Sequence, residues 1–175
     1  MNGKRALVGL AALALAASAG AESDRQAAER FVGLLRQRLL LSREVAIAKF
    51  NSGAPVEDLK REKALIDQTL KSTGAEHEFA YRILRAQIEA SKAAQRRFIS
   101  KWAGHPRFRH APNLAKDVRP KLDLLTTHML SMLPKLHETR PAVLRRAATQ
   151  VRWPKQDRDC FGPAWKVAVA PVVEN

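Results

Sequence analysis

Arg38 and Lys49 lie eleven residues apart on a stretch whose apolar residues Phe31, Leu34, Leu41 and Val45 recur at helical spacing. Eleven residues are about three turns, so both cations share one face, about 16 Å apart along the axis, at positions the pattern assigns to a core. A second seam, through Leu84, Ile88, Phe98 and Trp102, is interrupted by Ser91 and Gln95, one turn apart and facing the same way. Between them, Leu59, Glu62 and Ile66 share a stripe, and Asp58, Arg61 and Glu62 cluster in the first turns of a helix. A buried cation or amide costs several kcal/mol unless it is paired. Each residue has a plain alternative: Arg38 and Lys49 snorkel to solvent, Ser91 bonds its own helix, Gln95 is a satisfied core amide or lies at the seam edge, and Asp58 and Glu62 complement a helix dipole. Their coincidence on three helices favours a polar pocket inside a bundle. Several fixed cations, one neutral amide and few general bases suit a small dianion bearing carboxylates.

Other chemistries lack residues. The chain has no HExxH, CxxC, Gly-rich phosphate loop, GxSxG or closely spaced carboxylate ligand set, so no metal or cofactor is expected. His77, His105, His110, His128 and His137 are scattered without ligand spacing and are expected at the surface. The single cysteine, Cys160, cannot form a disulfide within the chain and has no neighbouring histidine to activate it; a buried thiol or a bridge between two subunits remains.

The elements that must position these groups are helical. From Glu22 to about Ser52 the pattern is amphipathic; Gly53 ends it and Pro55 opens a second helix that runs to about Thr73 and Gly74. A third is predicted from about His77 to Trp102, followed by a loop over residues 104–113. A fourth starts near Asp117 with Leu122, Leu125, Met129 and Leu133, and Pro134 and Pro141 should break or kink it. Residues 142–150 read as a short helix. No strand pattern of any length appears in the body of the chain, so the class is all-α, a helical bundle.

The chain has 175 residues, a formal net charge of +14 and 46% hydrophobic residues, enough for one domain with a core. Residues 1–21 pair a basic start with a short Ala/Leu-rich stretch and small residues at Ala19 and Ala21, which reads as a secretory signal peptide cleaved after Ala21. The expected organisation is therefore 1–21 signal peptide, 22–150 helical domain and 151–175 a tail of undecided structure. No apolar run is long enough for a membrane span.

The stretch LLRQRLLLSREVAIAKFNSGAPVEDLKREKALI, followed by AQIEASKAAQRRFISKW, resembles the all-helical chorismate mutases, in particular their exported branch with a signal peptide and C-terminal extension. The resemblance is strong over residues 31–102 and looser over 113–133. It implies that Arg38 grips a substrate carboxylate and that Lys49 contacts the other carboxylate and the ether oxygen. It further implies that Asp58, through its backbone, and Glu62 meet the ring hydroxyl, while Arg61 completes the polar wall. Ser91 would lie near the ring carboxylate and Gln95 would hydrogen-bond the ether oxygen. In the exported branch a later arginine replaces the one that intracellular dimers borrow from the partner chain, and Arg119 is the best match. The implied reaction is the rearrangement of chorismate to prephenate, with Lys49, Gln95 and Arg38 catalytic and no cofactor. The expected partners are chorismate and a second copy of the chain in a homodimer, not nucleic acid or membrane, and the expected location is the periplasm or outside the cell. Exported relatives can carry a C-terminal disulfide that the lone Cys160 does not permit. Where some relatives place Glu, Gln95 donates at any pH, so activity should stay high through neutral pH. The rival reading is a non-catalytic exported helical protein that binds anionic partners through exposed cations such as Arg96, Arg97, Arg145 and Arg146. A third is the same fold reduced to binding a small carboxylate.

Overall fold

The computed structural model describes the backbone of residues 4–71 and 76–174, with side chains from residue 24 onward in those ranges. Helix α1 spans Lys4–Ser52, α2 Leu59–Leu70, α3 His77–Lys101, α4 Arg119–Ser131, α5 Leu133–Glu138, α6 Pro141–Thr149 and α7 Arg158–Val173. A π-helical turn, Leu114–Val118, leads into α4, and a 3-10 turn, Lys155–Asp157, into α7. No strand occurs among the described residues. The expected cleavage after Ala21 falls outside the described side chains, and the expected stop at Gly74 outside the described residues.

Helix boundaries follow local chemistry. Gly53, with φ of 72°, closes α1, its N–H bonding the carbonyl of Lys49 at 2.8 Å. The expected second helix does not begin at Pro55. Lys49 Nζ donates to the Val56 carbonyl at 2.6 Å, and Asp58 Oδ1 accepts the Arg61 N–H at 3.1 Å, so Asp58 caps the helix and residues 54–57 stay outside it. Leu59, expected on the inner stripe, is 70% exposed. It is the first helical residue, and Glu62 takes the inward face.

The fourth helix also starts differently from the expected Asp117. Asn113 Oδ1 accepts the N–H groups of Ala115 and Lys116, Asp117 Oδ2 accepts that of Asn113 at 2.7 Å, and the π turn places Arg119 at the start of α4. Pro134 and Pro141 stand in the first turns of α5 and α6, where a missing N–H is harmless, so the chain breaks at Met132 and again at Arg140.

The core is built on α1, α3 and α7. Phe31, Leu35 and Leu39 from α1, Ile83, Leu84 and Phe98 from α3, and Phe161, Ala164 and Ala168 from α7 are almost fully buried. Residues 151–174, whose structure the sequence leaves open, thus supply one of the core helices. Gln87 Nε2 donates to the Ala168 carbonyl at 3.2 Å and Trp165 Nε1 to the Ala148 carbonyl at 3.0 Å, fixing α7 against α3 and α6. Pro163 removes the donor for the Asp159 carbonyl, which receives Arg97 Nη1 at 3.5 Å instead. Cys160 lies in this core, 1% exposed, with its thiol pKa raised by burial and by Asp159. Burial rules out the bridge between subunits.

An aromatic cluster ties the loop after α3 to the bundle. Trp102 packs on Phe108 at 4.8 Å and on Phe98 at 5.2 Å between ring centres. Asn51 clamps the backbone of Phe108 with both ends of its amide, at 2.7 and 2.9 Å. The loop is therefore anchored before it delivers Leu114 and Arg119.

Candidate active site

Helices α1 and α3, the N-terminal part of α2 with the turn before it, and the start of α4 enclose a cavity of about 370 Å³. All eight residues singled out from the sequence line it. Arg38 and Lys49 come from α1, and Asp58, Arg61 and Glu62 from the α2 start. Ser91 and Gln95 come from α3, and Arg119 from α4. A larger cavity of about 510 Å³ adjoins it across Arg61 and Asp123, and apart from Arg61 holds none of these residues.

Arg38 does not snorkel. It is 4% exposed, its Nε donates to Thr126 Oγ1 at 3.2 Å, and that hydroxyl donates to the Leu122 carbonyl at 2.7 Å. Burial lowers the guanidinium pKa to about 10, partly countered by the charge of Asp123. It stays cationic at neutral pH. Lys49 is half-buried, and its pKa is lowered, first by burial and further by Arg119 and Lys92, against the pull of Asp58 and Glu62. The Lys49 ammonium is therefore held back mainly by lost hydration, which an anionic ligand beside it would offset.

Ser91 and Gln95 do meet: Gln95 Nε2 donates to Ser91 Oγ at 2.9 Å, and Ser42 Oγ from α1 donates to the same oxygen at 2.9 Å. Gln95 Oε1 is buried and without a partner among the described residues. Arg61 pairs with Asp123 at 3.7 Å, and since both side chains are substantially exposed the pair contributes little stability. Glu62 accepts the Asp58 N–H at 3.3 Å through Oε1 and holds Lys92 Nζ at 3.1 Å through Oε2.

Four contributors were missed in the sequence: Ser42, Lys92, Asp123 and Thr126. Spacing pointed to two of them. Asp123 follows Arg119 by one turn, and Lys92 precedes Gln95 by three residues. Thr126 and Ser42 are small polar residues on buried faces with no distinguishing pattern. All five histidines are exposed, as are Arg96, Arg97, Arg145 and Arg146, and no cluster of metal-ligating side chains occurs among the described residues. No helix among them is long and apolar enough to cross a membrane.

The all-helical bundle thus encloses a cavity that gathers five cations, Arg38, Lys49, Arg61, Lys92 and Arg119, beside the carboxylates of Glu57, Asp58, Glu62 and Asp123, a lining able to take a small anionic ligand. The family model for chorismate mutase type II matches residues 26–96. A secreted chorismate mutase of Yersinia pestis is 30% identical over 113 residues, covering 62% of this chain and 61% of that protein. A bifunctional chorismate mutase/prephenate dehydratase of Enterobacter agglomerans is 31% identical over 90 residues, 50% of this chain and 23% of that protein. The chain thus spans less than two thirds of the length of either relative. The crystal structure of a chorismate mutase from Burkholderia thailandensis superposes with a TM-score of 0.73 at 30% identity, covering 83% of this chain and 98% of the other. This chain belongs to the chorismate mutase type II family.

Proposed function

We propose that this protein is a chorismate mutase, converting chorismate to prephenate by an intramolecular rearrangement in which a C–O bond breaks as a C–C bond forms. The observation that carries this reading is the convergence of Arg38, Lys49, Arg61, Arg119, Ser91 and Gln95 on one cavity beside Asp58 and Glu62. The reaction needs no covalent intermediate and no proton transfer, so the protein's work is conformational and electrostatic.

Arg38, held by Thr126, and Arg119, at the head of α4, clamp the two carboxylates and fold the enolpyruvyl arm over the ring. Lys49 and Gln95 stabilise the negative charge that grows on the ether oxygen in the transition state. For Gln95 to donate there, its amide turns by half about its last bond. Ser91 Oγ, already accepting from Ser42, then donates to Oε1, and the freed NH2 faces the substrate. Glu62 and the backbone at Asp58 take the ring hydroxyl, Ser91 borders the ring carboxylate, and Arg61 closes the polar wall.

Export after cleavage near Ala21 is part of the proposal, supported by the basic and Ala/Leu-rich start and by similarity to a protein named as secreted. Residues 22–150 and 151–175 would then form one exported unit, placing it in the periplasm or outside the cell. A homodimer is proposed from the family resemblance, with each cavity lined by residues of its own chain. N-terminal sequencing of the exported protein and light scattering test these two points.

The decisive experiment follows chorismate loss by ultraviolet absorbance with the purified protein beside Lys49→Ala and Gln95→Ala. Each substitution should lower turnover by about 10²–10³-fold, on the order of 2.7–4 kcal/mol, with helical circular dichroism unchanged. A folded wild-type protein without turnover would overturn the reading.

A further inference from the structure

Lys92 stands on α3 between Ser91 and Gln95 and lines the same cavity, yet it has no part in the reading above. It is 7% exposed, an unusual place for an ammonium. Two carboxylates hold it: Glu89 Oε1 at 2.9 Å, one turn back on α3, and Glu62 Oε2 at 3.1 Å, across on α2. Glu62 is itself bifurcated, since its other oxygen receives the Asp58 N–H at 3.3 Å. Lys92, Glu62 and Asp58 therefore form a chain from α3 to the first residue before α2.

That chain matters because the apolar anchoring of α2 lies at its far end, where Leu70 packs against the core. Among its residues only Thr69 is buried. Its N-terminal part is held by polar ties: Lys49 to the Val56 carbonyl, the exposed pairs Arg61–Asp123 and Arg96–Glu57, and Lys92 to Glu62. The two exposed pairs are screened by water and constrain little. The Lys92–Glu62 contact is enclosed, with side chains 8% and 12% exposed, so its geometry is strict and its loss is felt.

We propose that Lys92 is a positioning residue for the hydroxyl-recognising end of the cavity, gripping Glu62 from α3 so that the Glu62 carboxylate and the Asp58 backbone stay aligned to receive the substrate's ring hydroxyl. The proposal rests on the reading that the cavity takes chorismate. Burial pulls the Lys92 ammonium pKa down, but the hydrogen bonds and charges of Glu89 and Glu62 outweigh it and leave the pKa above the ordinary lysine value. The group is therefore a permanent cation at working pH. The charged groups that act on it include Glu89 on its own helix, Glu62 on α2, and Lys49 on α1, whose cation it repels.

The test compares two rigid bicyclic ether dicarboxylates that mimic the compact transition state, one with the ring hydroxyl and one without, by calorimetric binding to the full-length protein. The wild type should prefer the hydroxylated compound. Lys92→Met and Lys92→Gln should each cut that preference by about tenfold or more, the scale of one charge-assisted hydrogen bond, while Lys92→Arg keeps most of it. In a Glu62→Gln background, Lys92→Met should change the ratio no further. Equal weakening of both compounds, an unchanged ratio, or loss of the folded state in both Lys92→Met and Lys92→Gln would overturn the positioning role. Wild-type protein that binds neither compound and does not turn over chorismate would overturn the underlying reading instead.

Discussion

The three side chains proposed to be catalytic differ in the way each is held. Arg38 is fixed by burial and Thr126, so it can clamp without reordering. Gln95 is tied to Ser91, through Nε2 as it stands and through Oε1 once its amide has turned, and carries no charge, so its proposed part in the reaction does not titrate. Lys49 does titrate, and its sign can be worked out. Its pKa lies below the ordinary lysine value because burial, Arg119 and Lys92 disfavour the charged form. In the proposed role the ammonium is the donor, so kcat/KM should be flat through neutral pH and fall at alkaline pH, with the decline setting in below the pH expected for an ordinary lysine. A pH–rate profile checks both limbs, and a steep loss between about pH 5 and 7.5 would count against Gln95 as the neutral donor. Lys92→Met removes one of the repelling cations and should move the alkaline limb upward.

At the scale of elements, α7 and α2 are opposites. Helix α7 buries Phe161, Ala164, Trp165 and Ala168 against α3 and α6 and behaves as core. Phe161, packed between Phe98 and Trp153 at about 5 Å, should cost on the order of 3–5 kcal/mol when replaced by Ala, read as a lowered urea midpoint. The start of helix α2 is placed by charge and capping rather than by apolar burial, so Leu59→Ala, at a residue 70% exposed, should shift stability by no more than about 0.5 kcal/mol. The contrast puts the rigid packing behind the cavity and the adjustable helix across its polar wall.

For the molecule as a whole, charge should govern how the proposed dianionic substrate arrives. The chain carries a formal +14, and a dianion approaching it is drawn in over roughly a Debye length, about 10 Å at 0.1 M salt. Raising ionic strength should therefore lower kcat/KM while leaving kcat nearly constant, because the cavity is shielded once filled. Stopped-flow or initial-rate measurements across a salt series check this. Equal loss in both parameters would place the salt effect on the fold instead.

Periodicity alone determined that this chain is helical and which of its polar residues interrupt apolar seams: Arg38, Lys49, Ser91 and Gln95 break patterns that the surrounding leucines, phenylalanines and isoleucine make regular. Gly53 marks the end of α1 in the linear sequence, whereas Pro55 suggests a helix start that the cap at Asp58 moves to Leu59. What tertiary structure decided lies where distant segments meet. Ser42 acquires meaning only opposite Ser91, 49 residues away, and Lys92 only opposite Glu62, 30 residues away. Residues 151–174 read poorly because Pro163 and Pro171 sit inside a helix that α3 and α6 stabilise by packing, an influence no local window contains.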